Sequence, residues 1–136
     1  MFSLHERLAA DTLEVLRWPL SRVLLMNDRT YPWLILVPER PGLKDLHDLA
    51  AADHVQAMAE IGRASRALQH LCRPDKINVA ALGNVVPQLH VHVIARFASD
   101  PAWPRPVWGA QPAEPYNDAE ARATLTRLKE TFARIA

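Results

Sequence analysis

Apolar residues recur along this chain with both helical and strand periods, and each stretch predicts one element. From about Asp53 to Arg73 they recur at steps of three and four residues, which indicates a long amphipathic helix. The same period from Asn117 onward predicts a final helix. Ser3 and Glu6 have the spacing of a capping box, so we expect a short helix from about Leu4 to Ala10.

Extended segments are predicted between these helices. The apolar residues from Thr12 to Met26 are interrupted by Trp18-Pro19, which indicates two short strands or one strand broken at the proline. A nearly continuous apolar run, Trp33 to Val37, predicts a central strand, antiparallel to the preceding one across a tight turn at residues 27–30. Lys76 to Leu82 predicts a further strand after the long helix.

The most regular alternation of polar and apolar residues lies between positions 88 and 93. In an extended strand this stretch has two sides, Gln88, His90 and His92 on one and Leu89, Val91 and Val93 on the other. The apolar side suits a packed core, so we expect the strand to hold two imidazoles and an amide on its open side. Gly83 to Pro87 just before it predicts a turn whose backbone N–H groups lie in front of the histidines.

The order of elements favours an α+β fold. Hairpin connections and one long crossover predict an antiparallel sheet of about five strands with helices on one side, rather than a doubly wound parallel sheet. Residues 1–136 have the length of a single domain. The segment from Ala98 to Pro115 is rich in proline but also contains Trp103 and Trp108, so we expect it to pack on the domain rather than form a loose linker.

Composition narrows the classes of partner. Sixteen basic and fifteen acidic residues give a net charge of +1, which argues against binding long nucleic acid or an anionic membrane. No apolar run approaches the roughly 20 residues of a membrane span. Cys72 is the only cysteine, which excludes an internal disulfide and a thiolate zinc cluster. The first residues do not resemble a secretory signal, so we expect a cytoplasmic protein.

The histidine pair supports three interpretations. A neutral imidazole is a nucleophile near pH 7, so one histidine can attack a phosphoryl group while the other, with Asn84 and the neighbouring backbone amides, holds its oxygens. Alternatively, His90 and His92 form a polar surface row without chemistry. In a third interpretation the two imidazoles share a metal ion, although no nearby Asp, Glu or Cys completes a recognisable ligand spacing.

Residues 88 to 94, Gln-Leu-His-Val-His-Val-Ile, resemble the histidine triad (HIT) motif, His-φ-His-φ-His-φ-φ with φ apolar. The resemblance covers roughly residues 20 to 96 and leaves out the proline-rich segment and final helix of residues 98–136. It implies an α+β HIT fold, commonly a homodimer. It also implies hydrolysis or transfer of nucleoside phosphates, such as dinucleoside polyphosphates or phosphoramidates, through a covalent nucleotidyl-histidine and without a redox cofactor.

The resemblance also implies roles for individual residues. His90 takes the place of the nucleophile and His92 that of the histidine near the phosphate oxygens. Asn84, flanked by Gly83 and Val85, takes the place of a phosphate-contacting residue, and Asn27 that of a residue on the ribose side.

Two positions depart from the family pattern. Gln88 replaces the first histidine, keeps hydrogen-bonding capacity and cannot titrate, and Pro32-Trp33 stands where many members have Gly-His. We expect Trp33, like Trp103 and Trp108, to serve packing rather than to bind a base. Two rival functions remain, a nucleotide-binding module with little turnover and a metal-binding protein that uses His90 and His92.

Overall fold

The computed structural model describes residues 1–135, which form one antiparallel sheet with three α-helices. The strands are β1 (Thr12–Arg17), β2 (Ser21–Met26), β3 (Trp33–Pro38), β4 (Lys76–Ala80) and β5 (Val91–Arg96). The helices are α1 (Glu6–Asp11), α2 (Ala51–Cys72) and α3 (Asp118–Arg134), with a short 3-10 helix at Leu46–Asp48. The predicted α+β fold, with five strands, a long helix between strands and a C-terminal helix, is confirmed. None of the helices in the described part of the chain is both long and apolar enough to cross a bilayer.

The strand order β1-β2-β3-β5-β4 places β5 beside the central strand β3. Antiparallel hairpins join β1 to β2, β2 to β3 and β4 to β5, and α2 makes the single long crossover. The interruption at Trp18-Pro19 therefore separates two strands. His92 of β5 is in register with Ile35 on one side and Ala80 on the other, so both neighbouring backbones support it.

One face of the sheet, here the helix face, packs on α2 and α3. Alternate strand residues supply it, and helical residues at three- and four-residue steps complete it: Val23, Leu25, Leu34, Leu36, Val93 and Ala95 against Ala64, Ala67, Leu68, Leu128 and Phe132. All of them are buried. Burial of each larger side chain stabilises the fold by roughly 1.5–3 kcal/mol, so this face supplies much of the hydrophobic stabilisation.

The opposite face, here the cavity face, carries the other alternate residues. Trp33, Ile35 and Ile94 pack there with Leu8 of α1 and Val107 of the proline-rich segment. The expectation that this segment packs on the domain is confirmed. The expectation that the histidines lie on an open side of the strand is wrong. Helix α1 and the proline-rich segment cover this side and leave His90 only 7% and His92 only 4% exposed.

Buried polar contacts fasten the proline-rich segment to the sheet. Arg96, at the end of β5, donates from Nε and Nη2 to the two carboxylate oxygens of Asp100 over 2.8 and 3.0 Å. It also donates to the side-chain oxygen of Asn78 and to the carbonyl oxygen of Arg105, over 2.8 and 2.7 Å. A planar guanidinium with its donors satisfied in this way orients the chain that follows β5.

Two predicted boundaries shift in the structure. Helix α1 begins at Glu6 and is capped by Nδ1 of His5, which accepts from the backbone N–H of Arg7, so the predicted Ser3 cap is wrong. Strand β5 begins only at Val91. The N–H of Leu89 donates instead to the carbonyl of Leu43, so the chain around Gln88 and His90 approaches the strand without pairing in the sheet.

Candidate functional site

A cavity of about 320 Å³ opens on the cavity face where β5, the loop before it and α1 meet. Five of the seven predicted site residues line it: Gly83, Asn84, Val85, His90 and His92. The first three come from the turn between β4 and β5. Gly83 has a φ of +73°, a left-handed conformation that favours glycine and brings the turn back over the histidines.

His90 is held through one ring nitrogen. Its Nδ1 lies 2.7 Å from the carbonyl oxygen of Gln88. A carbonyl only accepts hydrogen bonds, so Nδ1 carries the proton and donates it, and Nε2 of the neutral ring keeps its lone pair. The backbone at Gln88 thus selects the tautomer in which the Nε2 lone pair of His90 is free.

His92 is held in the opposite tautomer. The indole N–H of Trp33 donates to Nδ1 of His92 over 2.9 Å, within the buried part of the cavity face. An indole N–H only donates, so Nδ1 must be unprotonated and the neutral ring carries its proton on Nε2. Burial, with a smaller contribution from His90, lowers the pKa of His92 to about 3, so this ring is neutral at physiological pH.

The two imidazoles sit in an aromatic cluster. Their ring centroids are 4.9 Å apart, and Trp108 packs edge-on against His92 at the same distance. Trp108 also contacts the ring of Trp33 at 5.8 Å. The cluster limits rotation of both rings. The cavity is therefore lined by one imidazole whose Nε2 accepts a hydrogen bond, His90, and one whose Nε2 donates, His92.

Gln88 and Asn27 do not line this cavity. The Gln88 amide accepts from the N–H of His5 and donates to the carbonyl of Ser3, each over 2.8 Å, so it anchors the N-terminal segment. Asn27 accepts from the N–H of Tyr116 over 2.9 Å and lies in an adjoining cleft of about 400 Å³. Asp11, Met26 and Trp108 line both depressions, so the Asn27 cleft is adjacent to the histidine cavity.

Several lining residues were missed from the sequence. Arg7, Leu8 and Asp11 reach the cavity from α1, and Trp108 reaches it from the proline-rich segment. The only feature of the sequence that could have indicated a role for Trp108 was the presence of a large aromatic residue in the proline-rich segment. The sequence predicted a helix near α1, but no local pattern indicated that it lines the cavity, because its position depends on Gln88, more than eighty residues away.

Metal ligation at the histidines lacks a third partner in the described residues. His90 and His92 do not belong, within residues 1–135, to any group of three ligating side chains close enough to share an ion. The one such group is Asp45, His47 and Asp48, all exposed. Asp48 there already accepts from the backbone N–H groups of Asp45 and Lys44, which lowers its carboxyl pKa.

Comparison with known proteins finds clear similarity. The family model described as HIT domain matches residues 7–99. A solved histidine triad protein from Bradyrhizobium japonicum is 47% identical, with 96% of this chain and 98% of that chain covered and a TM-score of 0.93. One from Marinobacter aquaeolei VT8 is 46% identical, with coverages of 100% and 99% and a TM-score of 0.96. One from Sinorhizobium meliloti 1021 is 44% identical, with 96% of each chain covered and a TM-score of 0.93. Comparison with curated proteins finds no match.

Proposed function

This chain belongs to the HIT domain family, and on that premise we propose that it hydrolyses or transfers nucleoside phosphates through a covalent nucleotidyl-histidine. The observation that carries the proposal is the pair of opposite tautomers at one cavity. His90 has a free lone pair on Nε2 because its Nδ1–H is tied to Gln88, and His92 has a free N–H because its Nδ1 is tied to Trp33. A nucleophile beside a hydrogen-bond donor is what phosphoryl transfer requires.

The proposed reaction has two steps. Nε2 of His90 attacks the α-phosphorus, a P–N bond forms, and the bond from phosphorus to the leaving group breaks with its electron pair. Water then attacks the phosphorus, the P–N bond breaks, and His90 recovers the lone pair while one proton of the water passes to solvent. The Gln88 carbonyl, 2.7 Å from Nδ1, stabilises the positive charge that the imidazole carries in between.

The phosphate oxygens have two sources of donors in this proposal. One is the Nε2–H of His92, and the other is the turn with Gly83, Asn84 and Val85, which lines the same cavity. Removing one such donor from a preorganised oxyanion site typically lowers kcat by about 10²–10³-fold. We place the nucleoside toward the adjoining cleft, where Asn27 contacts the ribose side.

Gln88 acts indirectly in this proposal. Its carbonyl orients the nucleophile, and its side-chain amide holds the N-terminal segment whose residues Arg7, Leu8 and Asp11 complete the cavity wall. The same observation favours one rival, a nucleotide-binding module with little turnover. Because an amide side chain does not titrate, Gln88 supplies no proton-transfer group at the first position of the motif.

Homodimer formation is a further part of the proposal. Strand β4 is an edge of the sheet, and it leaves Val79 47% exposed. On α2, Val55 and Met58 are 73% and 67% exposed. An unpaired edge strand and exposed apolar side chains suit contact with a second copy. Light scattering of the purified protein should give twice the monomer mass, and Met58→Lys should lower it.

A substrate screen tests the proposed activity. Adenosine and guanosine phosphoramidates and dinucleoside polyphosphates are incubated with wild type and with His90→Ala, and release of nucleoside monophosphate is measured. We expect turnover of at least one class by wild type and a loss of several orders of magnitude in His90→Ala. Binding of nucleoside monophosphate without turnover of any substrate would favour the binding module.

A further inference from the structure

We infer that Trp33 locks His92 as a neutral Nε2–H donor, and that the site therefore acts on nucleotides whose leaving group departs as a stabilised anion. The substrate class is then a nucleoside phosphoanhydride, such as a dinucleoside polyphosphate, rather than a phosphoramidate that releases an amine. This inference rests on the proposed function and chooses between its two substrate classes.

The lock is a single buried hydrogen bond. Trp33 is 6% and His92 4% exposed, and the indole N–H lies 2.9 Å from Nδ1 of the imidazole. Protonating Nδ1 would set two N–H groups against each other where neither finds water. A buried donor left without its acceptor costs about 1–3 kcal/mol, so the bond opposes the imidazolium form. Burial, with a smaller contribution from His90, separately lowers the pKa of His92 and also disfavours the imidazolium form.

The other groups around His92 do not supply a proton in its place. Its neighbours across the sheet are Ile35 on β3 and Ala80 on β4, which have no titratable side chains. The charged side chains that line the cavity are Arg7 and Asp11 of α1, exposed and 3.7 Å apart. These two side chains form an ion pair with each other, so neither is a free proton donor to a leaving group.

His90 is not an acid either while it serves as the nucleophile. Its Nε2 must carry a lone pair, and its Nδ1–H is committed to the carbonyl of Gln88. Among the described lining residues, the cavity thus offers hydrogen bonds to a leaving group but no group that is protonated, acidic and free near neutral pH.

The two substrate classes differ in whether the leaving group needs a proton. When a phosphoanhydride is cleaved, the P–O bond breaks and the oxygen leaves with the electron pair as a phosphate anion, which is stable without a proton. When a phosphoramidate is cleaved, the P–N bond breaks and the nitrogen must gain a proton to leave as an amine. A neutral Nε2–H stabilises an anion by hydrogen bonding, but it is too weak an acid to protonate the nitrogen.

A pair of substrates with the same nucleoside tests the preference. The ratio of kcat/KM for diadenosine tetraphosphate to that for adenosine 5′-phosphoramidate is measured for wild type and Trp33→Phe, at pH 6 and pH 8. We expect wild type to favour the tetraphosphate by about tenfold or more. In Trp33→Phe the Nε2–H tautomer of His92 is no longer fixed, so part of the protein lacks the donor that stabilises the departing anion, and the ratio should fall at both pH values. A wild-type preference for the phosphoramidate, or an unchanged ratio in Trp33→Phe, would overturn the inference.

The tautomer of His92 can be measured without a substrate. In ¹⁵N NMR of the ligand-free protein, His92 should show the Nε2–H tautomer alone from pH 5 to pH 8 in wild type. Trp33→Phe should show a mixture of the two neutral tautomers, because Nδ1 of His92 no longer accepts a hydrogen bond from the indole. Trp108→Phe is the matched control, because that indole packs on the same imidazole without a hydrogen bond to it among the described contacts; its His92 should behave as in wild type.

The two measurements separate the possible failures. If wild type turns over neither substrate, the proposed function and the leaving-group preference fall together, while the wild-type NMR spectrum still decides the tautomer. A wild-type His92 that titrates between pH 5 and pH 8 would overturn the lock whatever the substrate preference. The wild-type spectrum does not depend on any variant folding.

Discussion

The helix face and the cavity face use alternate residues of the same strands but are closed in different ways. On β3, Leu34 and Leu36 meet α2 and α3, whereas Trp33 and Ile35 meet α1 and the proline-rich segment. Apolar contacts between regular elements close the helix face. The cavity face is closed by two irregular stretches far apart in sequence, and its covering depends on polar contacts at Arg96 and Gln88.

This difference suits a binding site. Close packing on the helix face fixes β5 and therefore the backbone of His92. The depression lined by Leu34 and Leu128 on that face, about 150 Å³, is less than half the volume of the histidine cavity. The cavity face keeps space, buried aromatic rings and unpaired imidazole nitrogens because its cover is only partly complementary to the sheet. The site is thus built on a rigid strand and bounded by the less regular part of the molecule.

The largest effect is expected on the helix face. Val93→Asp would bury a carboxylate among apolar side chains where the valine is fully buried, and should lower the free energy of unfolding by at least about 3 kcal/mol. Urea denaturation measures this. Thr126→Asp, at an exposed β-branched residue of α3, is the control and should stay within about 0.5 kcal/mol of wild type. Equal midpoints for the two variants would mean that the assignment of the faces is wrong.

Asp100→Asn should lower the free energy of unfolding by a smaller amount, through contacts on the cavity face. Hydrogen bonds from Arg96 hold the pKa of Asp100 at about 2, below its ordinary 3.8, so this carboxylate stabilises the fold by about 2 kcal/mol at neutral pH. Loss of the charge leaves buried Arg96 unpaired, and we expect about 2–4 kcal/mol of destabilisation.

The stabilisation by the Arg96–Asp100 ion pair should decrease at low pH. A depressed pKa means that the stabilisation is complete above about pH 4 and is lost as the pH falls toward 2. Wild type should lose more stability over this range than Asp100→Asn, measured by urea denaturation at each pH. Hydrogen exchange should rise in residues 97–110 before it rises in α2. Glu130→Gln, at an exposed site of α3, should change neither result. Parallel pH curves for wild type and Asp100→Asn would contradict this account of the ion pair.

The smallest effect is expected at the N-terminal segment. Gln88→Ala removes two hydrogen bonds to the backbone of Ser3 and His5, and should cost about 1–2 kcal/mol. Hydrogen exchange should speed up in residues 5–9, and KM should rise because α1 forms one wall of the cavity. Gln69→Ala, at an exposed glutamine of α2, provides the control. Unchanged exchange at residues 5–9 would show that the amide does not anchor this segment.

The sequence revealed the helix face well and the cavity face only in part. The spacing of apolar residues in α2 and the apolar run of β3 reflect which residues face the core. They therefore predicted both elements and the central position of β3. His90, His92 and the turn at Gly83 were found because they are close in sequence and fall into a motif. The bond from Trp33 to His92 joins residues 59 apart, and the anchor from Gln88 to His5 joins residues 83 apart. No local pattern encodes either contact.

Trp33 shows most directly what could not be predicted from the sequence. From the sequence it was expected to pack, and it does, with 6% exposure. Its indole N–H also selects the tautomer of a site histidine, which depends on the register that brings Ile35 opposite His92. Burial of an indole was predictable because the residue is large and apolar, whereas the partner of its N–H depended on the tertiary structure.

The central claim is that Nε2 of His90 forms a bond to the nucleotide α-phosphorus, and rapid quenching in base tests it. A phosphoramidate at imidazole is labile to acid and stable to base, so wild type quenched in base during turnover of an α-labelled nucleotide should carry label on the peptide that contains residues 88 to 96. His92→Ala should still carry label there despite weaker catalysis. His90→Ala should carry none and lose turnover by orders of magnitude. Full turnover in His90→Ala, or label on a different residue, would contradict the claim.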